Sequence, residues 1–178
     1  MNYLLLTYTF PPTPGIGGRR WAKFAKKMTN EGDNFFVVHS KSSIVAGDFW
    51  SEDVFNNNRI VRFPIRFRWN SILANPSPRL FQKVLYRLLM FLIRRTKLDP
   101  YDNTAFAIKQ LIKVATKIII ENKIDIIILS GPPHALNYCA LDLKKRFKQP
   151  LIIDYRDLWN GHPTYFKFQN KTPKQKSY

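Results

Sequence analysis

The run Ile124-Asp125-Ile126-Ile127-Ile128-Leu129, closed by Ser130-Gly131-Pro132-Pro133-His134, constrains this chain more than any other stretch. A nearly unbroken apolar segment suits a strand buried on both faces of a parallel sheet. Ser130, Gly131 and two prolines should stop it abruptly, since proline brings no N–H to the ladder and glycine permits a sharp turn. A helical pattern resumes at 134–147, with Ala135, Leu136, Tyr138, Cys139, Leu141 and Leu143 apolar. Lys144, Lys145 and Arg146 sit in its last turn, where cations suit the helix dipole. Strand, tight turn, helix is where open α/β sheets place their ligand sites.

The rest of the chain supplies more units of this kind. Asn2 to Tyr8 reads as a buried first strand, and residues 10–18 as a proline- and glycine-rich loop. Arg19 then opens an amphipathic helix with Trp21, Phe24, Ala25 and Met28 on one side. Asn30-Glu31-Gly32 ends it, and Phe35 to His39 is a second strand. Residues 40–58 look irregular. Arg59 to Phe63 reads as a third strand stopped by Pro64, followed by an exposed excursion over 64–78. Helices follow at 79–97 and 103–122, the second capped by Asp99-Pro100-Tyr101-Asp102. After the central strand and the 134–147 helix, Leu151 to Asp154 forms a fifth strand. Strands alternating with helices imply one α/β domain over 1–160, a Rossmann-like, doubly wound parallel sheet in the order 3-2-1-4-5. Residues 161–178 form a polar, weakly patterned tail. In that order the loops after strands one, four and five converge on the switch point.

Composition narrows the function classes. No apolar run approaches the ~20 residues of a membrane span, and no basic leader precedes Leu4-Leu5-Leu6. The single Cys139 excludes a disulfide framework and fits a reducing compartment. No spacing of metal ligands appears, so neither a metal nor a resident cofactor is expected. Charge stands out: 29 basic residues face 12 acidic ones, for a net +17. Residues 61–100 hold nine of the basic residues against a single acid. An anionic partner is implied, either an acidic membrane surface or nucleic acid.

Three loops and one helix carry candidate chemistry. Gly15, Gly17 and Gly18 let backbone amides approach an anion at a helix start, where Arg19 adds positive charge. Arg20 occupies the place of the third glycine of a dinucleotide fingerprint, which argues against an NAD-type site. Ser130, Gly131, Pro132, Pro133 and His134 form a rigid loop. His134 at a helix start should have a lowered pKa and is the candidate for proton transfer. Asp154, Arg156 and Asp157 place charges at a strand's carboxyl end, where the carboxylates could pair with Arg156 or with Arg19. In the basic excursion over 64–98, the 79–97 helix sets Leu80, Val84, Leu88 and Leu92 beside Arg79, Lys83, Arg87, Arg94 and Arg95. That is the pattern of an interfacial helix drawn to anionic lipid.

Taken together, Phe10-Pro11-Pro12 with the glycines that follow, Ser130-Gly131-Pro132-Pro133-His134, and Asp154-Tyr155-Arg156-Asp157-Leu158-Trp159 resemble the N-terminal half of bacterial family-four glycosyltransferases. Leu158 stands where that family has proline. The resemblance implies a GT-B architecture, two Rossmann-like domains facing across a cleft, with this half holding the acceptor. A nucleotide-sugar would be the donor, bound mainly by a second domain or subunit that the 178 residues do not include. It further implies a lipid-linked glycan acceptor in polysaccharide biosynthesis, and a cytoplasmic protein held at the inner face of the cell membrane. By itself the chain is expected not to transfer sugar. Two alternatives remain at this point: a basic nucleic-acid-binding module, and a nucleotide- or NAD-binding Rossmann-like protein.

Overall fold

In a computed structural model, residues 1–13, 15–41, 51–67, 69, 72, 79–95 and 104–156 are described. The strands are β1 (Asn2–Thr7), β2 (Asn34–Ser40), β3 (Ile60–Ile65), β4 (Ile126–Gly131) and β5 (Leu151–Tyr155). The helices are α1 (Ile16–Asn30), α2 (Glu52–Phe55), α3 (Leu80–Arg95), α4 (Ile108–Glu121, entered through a 3-10 turn at Ala105–Ala107) and α5 (Leu136–Arg146). All ladders among these strands are parallel, in the order β3-β2-β1-β4-β5. The expected Rossmann-like sheet is present.

Each sheet face has its own core, because successive strand residues alternate between faces. Tyr3, Leu5, Phe35, Val37 and Ile128 pack with Trp21, Ala22 and Ala25 of α1. Leu4, Leu6, Ile127 and Leu129 pack on the other face with Leu111, Ala115 and Ile118 of α4 and with Leu136, Cys139 and Leu143 of α5. Leu4, Leu5 and Leu6 are wholly buried, and each such side chain contributes about 1.5–3 kcal/mol of transfer free energy. At the amino ends of the strands, Asn2 is the tie. Its Nδ2 donates to the Asn122 carbonyl at 2.8 Å, its Oδ1 accepts from Asn34 at 2.9 Å, and its N–H donates to Asp125 at 2.7 Å.

Four boundaries differ from the sequence expectation. The first helix begins at Ile16 rather than Arg19, so Gly17 and Gly18 are helical and only Gly15, at φ 143°, is the glycine of the turn. β4 does not stop at Ser130; it pairs through Gly131 with Tyr155 before Pro132 and Pro133, both preceded by cis peptides, end it. β3 runs through Pro64. The Arg59 and Ile65 carbonyls accept from Phe35 and Lys41 of the β2 side, so odd-numbered positions face β2 and Pro64 turns its missing donor to the free edge. Finally, the stretch expected to be irregular contains α2. It is held by Asp53, which is buried and ion-paired to Lys23 and Lys26 of α1. Residues 42–50, the capping segment 99–102 and the tail lie outside the described residues.

Candidate functional site

At the carboxyl edge of the sheet the apolar strands end in polar side chains. Thr7 stands opposite Ser130, and Ser130 opposite Asp154. Their numbering parity matches that of Leu5 and Ile128, so all three face α1. His39, two residues beyond Val37, has the same parity. Thr7, His39 and Ser130 are buried. The sequence carries the signal: the apolar interiors of β1, β2 and β4 give way at this end to Thr7, His39 and Ser130.

Asp154 is the hub of that row. Its Oδ2 accepts from the Arg20 guanidinium, from the Trp21 indole N–H at 3.0 Å and from the Ser130 hydroxyl at 2.8 Å. Burial alone would raise its pKa, but the hydrogen bonds from Arg20, Ser130 and Trp21 hold it below the usual carboxylate value. The carboxylate therefore pairs neither with Arg156 nor with Arg19, as the sequence suggested, but with Arg20. One helical turn of α1 supplies both Arg20 and Trp21, which is why α1 docks at this corner. The sequence pattern marks Trp21 only as an apolar core residue. Its indole is a polar handle as well.

Arg156 makes the second junction. Its Nε donates to the Gly131 carbonyl at 2.8 Å and its Nη2 to the Pro132 carbonyl at 3.3 Å. Its guanidinium also covers Gly17, where a β-carbon would overlap it. Gly18 has a different reason to be glycine: a β-carbon there would stand 3.0 Å from the Thr9 backbone and 3.1 Å from the Phe10 Cα. One glycine therefore admits the side chain of Arg156 just beyond β5, and the next admits the backbone after β1. Gly15 precedes the helix without any side-chain cap, and Arg156 lies over Gly17 in the first turn of α1. Arg19 is exposed.

His134 is buried in the turn between β4 and α5. It precedes the helix by two residues, and its carbonyl accepts from the Asn137 N–H at 3.0 Å. Its ring stacks toward Tyr155 with centroids 6.4 Å apart, while Asn137 Nδ2 reaches the Tyr155 hydroxyl at 3.4 Å. Tyr155 belongs to the stretch expected to meet here, whereas Asn137 joins the loop cluster with no signal in the sequence. His39, near the carboxyl end of β2, has Nδ1 3.0 Å from the Ser40 carbonyl, and burial lowers its pKa to about 4. Asp157 lies outside the described residues.

The basic helix is a separate feature. α3 turns Leu89 and Ile93 inward. Leu80, Phe81, Val84, Leu88, Phe91 and Leu92 face solvent, with Leu80 80% and Phe81 77% exposed. At 100° per residue these six occupy one arc. Arg79, Lys83 and Arg87 lie on its flank and are exposed too. Arg95 stacks over Phe91, 4.5 Å from its centroid. The Arg94 side chain is outside the description. The stripe Leu80, Val84, Leu88 and Leu92 expected from the sequence faces solvent throughout, while Leu89 and Ile93, on the opposite side of the helix, are buried.

Among the described residues no cluster of His, Cys, Asp or Glu could hold a metal ion, and no helix is long and apolar enough to cross a membrane. No protein-family model matches the chain, and no curated protein matches it. Solved structures give distant likenesses. The C-terminal domain of a hydrogenase from Pyrococcus furiosus is 14% identical, with TM-score 0.47, 86% of this chain and 89% of that one being covered. A glycosyltransferase from Rickettsia africae is 13% identical with TM-score 0.48; 96% of this chain matches 34% of it. A ugt transferase from Siraitia grosvenorii, solved with UDP, is 14% identical with TM-score 0.36, covering 87% and 28%. The chain thus spans about a third of the glycosyltransferases it matches. The fold itself rests on the chain's own strand pairing: a Rossmann-like parallel α/β domain, distantly similar to parts of glycosyltransferases and to a hydrogenase domain.

Proposed function

We propose that this chain is the acceptor-side domain of a glycosyltransferase with two facing Rossmann-like domains, docked on an anionic membrane through α3. One observation carries the reading: three loops from β1, β4 and β5 close on one another at the switch point of the sheet, bound by Arg20–Asp154 and by Arg156. Sites in open α/β sheets form there. The first turn of α1, with Gly15, Gly17 and Arg19, together with Arg156, offers amides and guanidinium groups to the phosphates of a nucleotide-sugar held by a second domain. Ser130, Gly131, Pro132, Pro133, His134 and Asp154 line the acceptor side. The reaction would move a hexosyl group onto a glycan, lipid-linked where α3 meets the membrane. Exposed apolar residues flanked by Arg79, Lys83 and Arg87 suit a bilayer carrying acidic headgroups.

The test is amide chemical-shift mapping of the purified chain with UDP and GDP at millimolar concentration. Shifts clustered at Gly15 to Arg19 and at Arg156 are expected; silence there, or shifts with short DNA instead, would overturn the reading. The chain alone should show no sugar transfer from a nucleotide-sugar, and turnover by it would remove the need for a second domain.

A further inference from the structure

We infer that Asp154 and Arg20 form a ready-made bracket for a carbohydrate diol, with Asp154 Oδ1 as its acceptor. This rests on the acceptor-side reading above and adds the group recognised.

Three donors from two elements, Arg20, Trp21 and Ser130, all converge on Oδ2. That fixes the plane and direction of the carboxylate. Oδ1 takes no hydrogen bond from any described residue, and the side chain keeps 20% of its surface exposed. An ionised carboxylate oxygen with no donor, at the mouth of a site, recruits one from the ligand. Arg20 is 40% exposed in its side chain and, among the described residues, its guanidinium bonds only Asp154; its Nε is buried without a partner, so the Nη groups are the donors that remain beside that acceptor. A hydroxyl can donate to Oδ1, and its neighbour can accept from the guanidinium. Vicinal sugar hydroxyls present that pattern.

Competing occupants fit less well. A metal ion would require further anionic ligands, and the described residues hold no such cluster. A cationic ligand would meet Arg20 and Arg156, with the negative charge of Asp154 already balanced. A phosphate would be repelled by the open carboxylate oxygen. A neutral hydroxyl donor is what remains. Asp154 is thereby a ligand-binding residue, its own orientation set by Ser130 and Trp21.

The experiment uses the chain with 13C-labelled aspartate carboxyls, titrated with methyl glucoside, galactoside and mannoside, and separately with UDP. At least one glycoside should move the Asp154 carboxyl resonance. Asp154→Asn should weaken its binding by roughly tenfold, the effect of one charge-assisted hydrogen bond. Ser130→Ala, which leaves Oδ1 in place, should weaken it only a few-fold. If no glycoside moves that resonance while UDP still shifts the glycine turn, the diol bracket is wrong and the transferase reading stands. Glycoside binding without any response to UDP would keep the bracket and refute the donor-facing turn. Unchanged affinity in a folded Asp154→Asn variant would overturn the inference; should that variant not fold, the resonance in the native chain decides alone.

Discussion

The guanidinium of Arg156 occupies the space that a side chain at Gly17 would need. From there it holds the Gly131 and Pro132 carbonyls, so the first turn of α1 and the proline loop share a brace. Adjacent Gly18 faces fixed backbone instead. Gly18→Ala should therefore cost about 1–3 kcal/mol by overpacking. Gly17→Ala should cost less, since a flexible side chain can yield, yet it should release the loop. Denaturant titration ranks the two, and greater protease sensitivity at 131–133 in Gly17→Ala reports the release. A reversed stability order would place the constraint at Gly17.

His39 gives the protein a pH dependence of known sign. Its folded pKa is lowered to about 4 by burial, against about 6.5 unfolded. The unfolded chain therefore binds the proton first as pH falls, and stability declines between about 6.5 and about 4. The full effect is on the order of 3 kcal/mol. His39→Gln should flatten that limb of the stability–pH curve. An unchanged slope would mean that other groups produce it.

The sheet order was legible because long apolar runs, broken by glycine and proline, leave few topologies. The convergence of loops followed from that order. What failed were ends and partners. Proline at position 64 looked like a stop because sequence does not say which edge a donor faces. Gly17 and Gly18 looked like loop because the close approaches that require them, of Arg156 and of the Thr9 backbone, come from elsewhere in the chain. Trp21 hides its polar role for a similar reason: Asp154, its acceptor, is 133 residues away. Arg20 stands out in the sequence as the residue in place of a third glycine; its anion, Asp154, is 134 residues away.

That ion pair sets the second acid limb. Hydrogen bonds from Arg20, Ser130 and Trp21 hold the Asp154 pKa below its ordinary 3.8 against the effect of burial. The stability it gives is complete above about 3.8 and lost as pH falls through the lowered folded value. Asp154→Asn should cost roughly 1–2 kcal/mol at neutral pH, discounted for the exposure of Arg20. It should also remove part of the loss below pH ~4. Asp53, lowered by its bonds to Lys23 and Lys26, contributes in the same range, so the double variant Asp154→Asn, Asp53→Asn should be flatter still.

The two faces of α3 separate folding from docking. Leu89 and Ile93 are buried, and Leu89→Ala or Ile93→Ala should each cost about 2–4 kcal/mol. Phe81, Leu88 and Phe91 are half or more exposed, so serine at these positions should change stability by no more than ~0.5 kcal/mol. The order reverses for binding. Cosedimentation with phosphatidylserine vesicles should be lost in the triple serine variant. Replacing Arg79, Lys83 and Arg87 by glutamine should weaken it by about 1 kcal/mol per residue and reduce its salt sensitivity. Vesicle binding that survives the serine variant would assign the outward face of α3 to another partner, whereas a stability loss there would return it to the protein's own core.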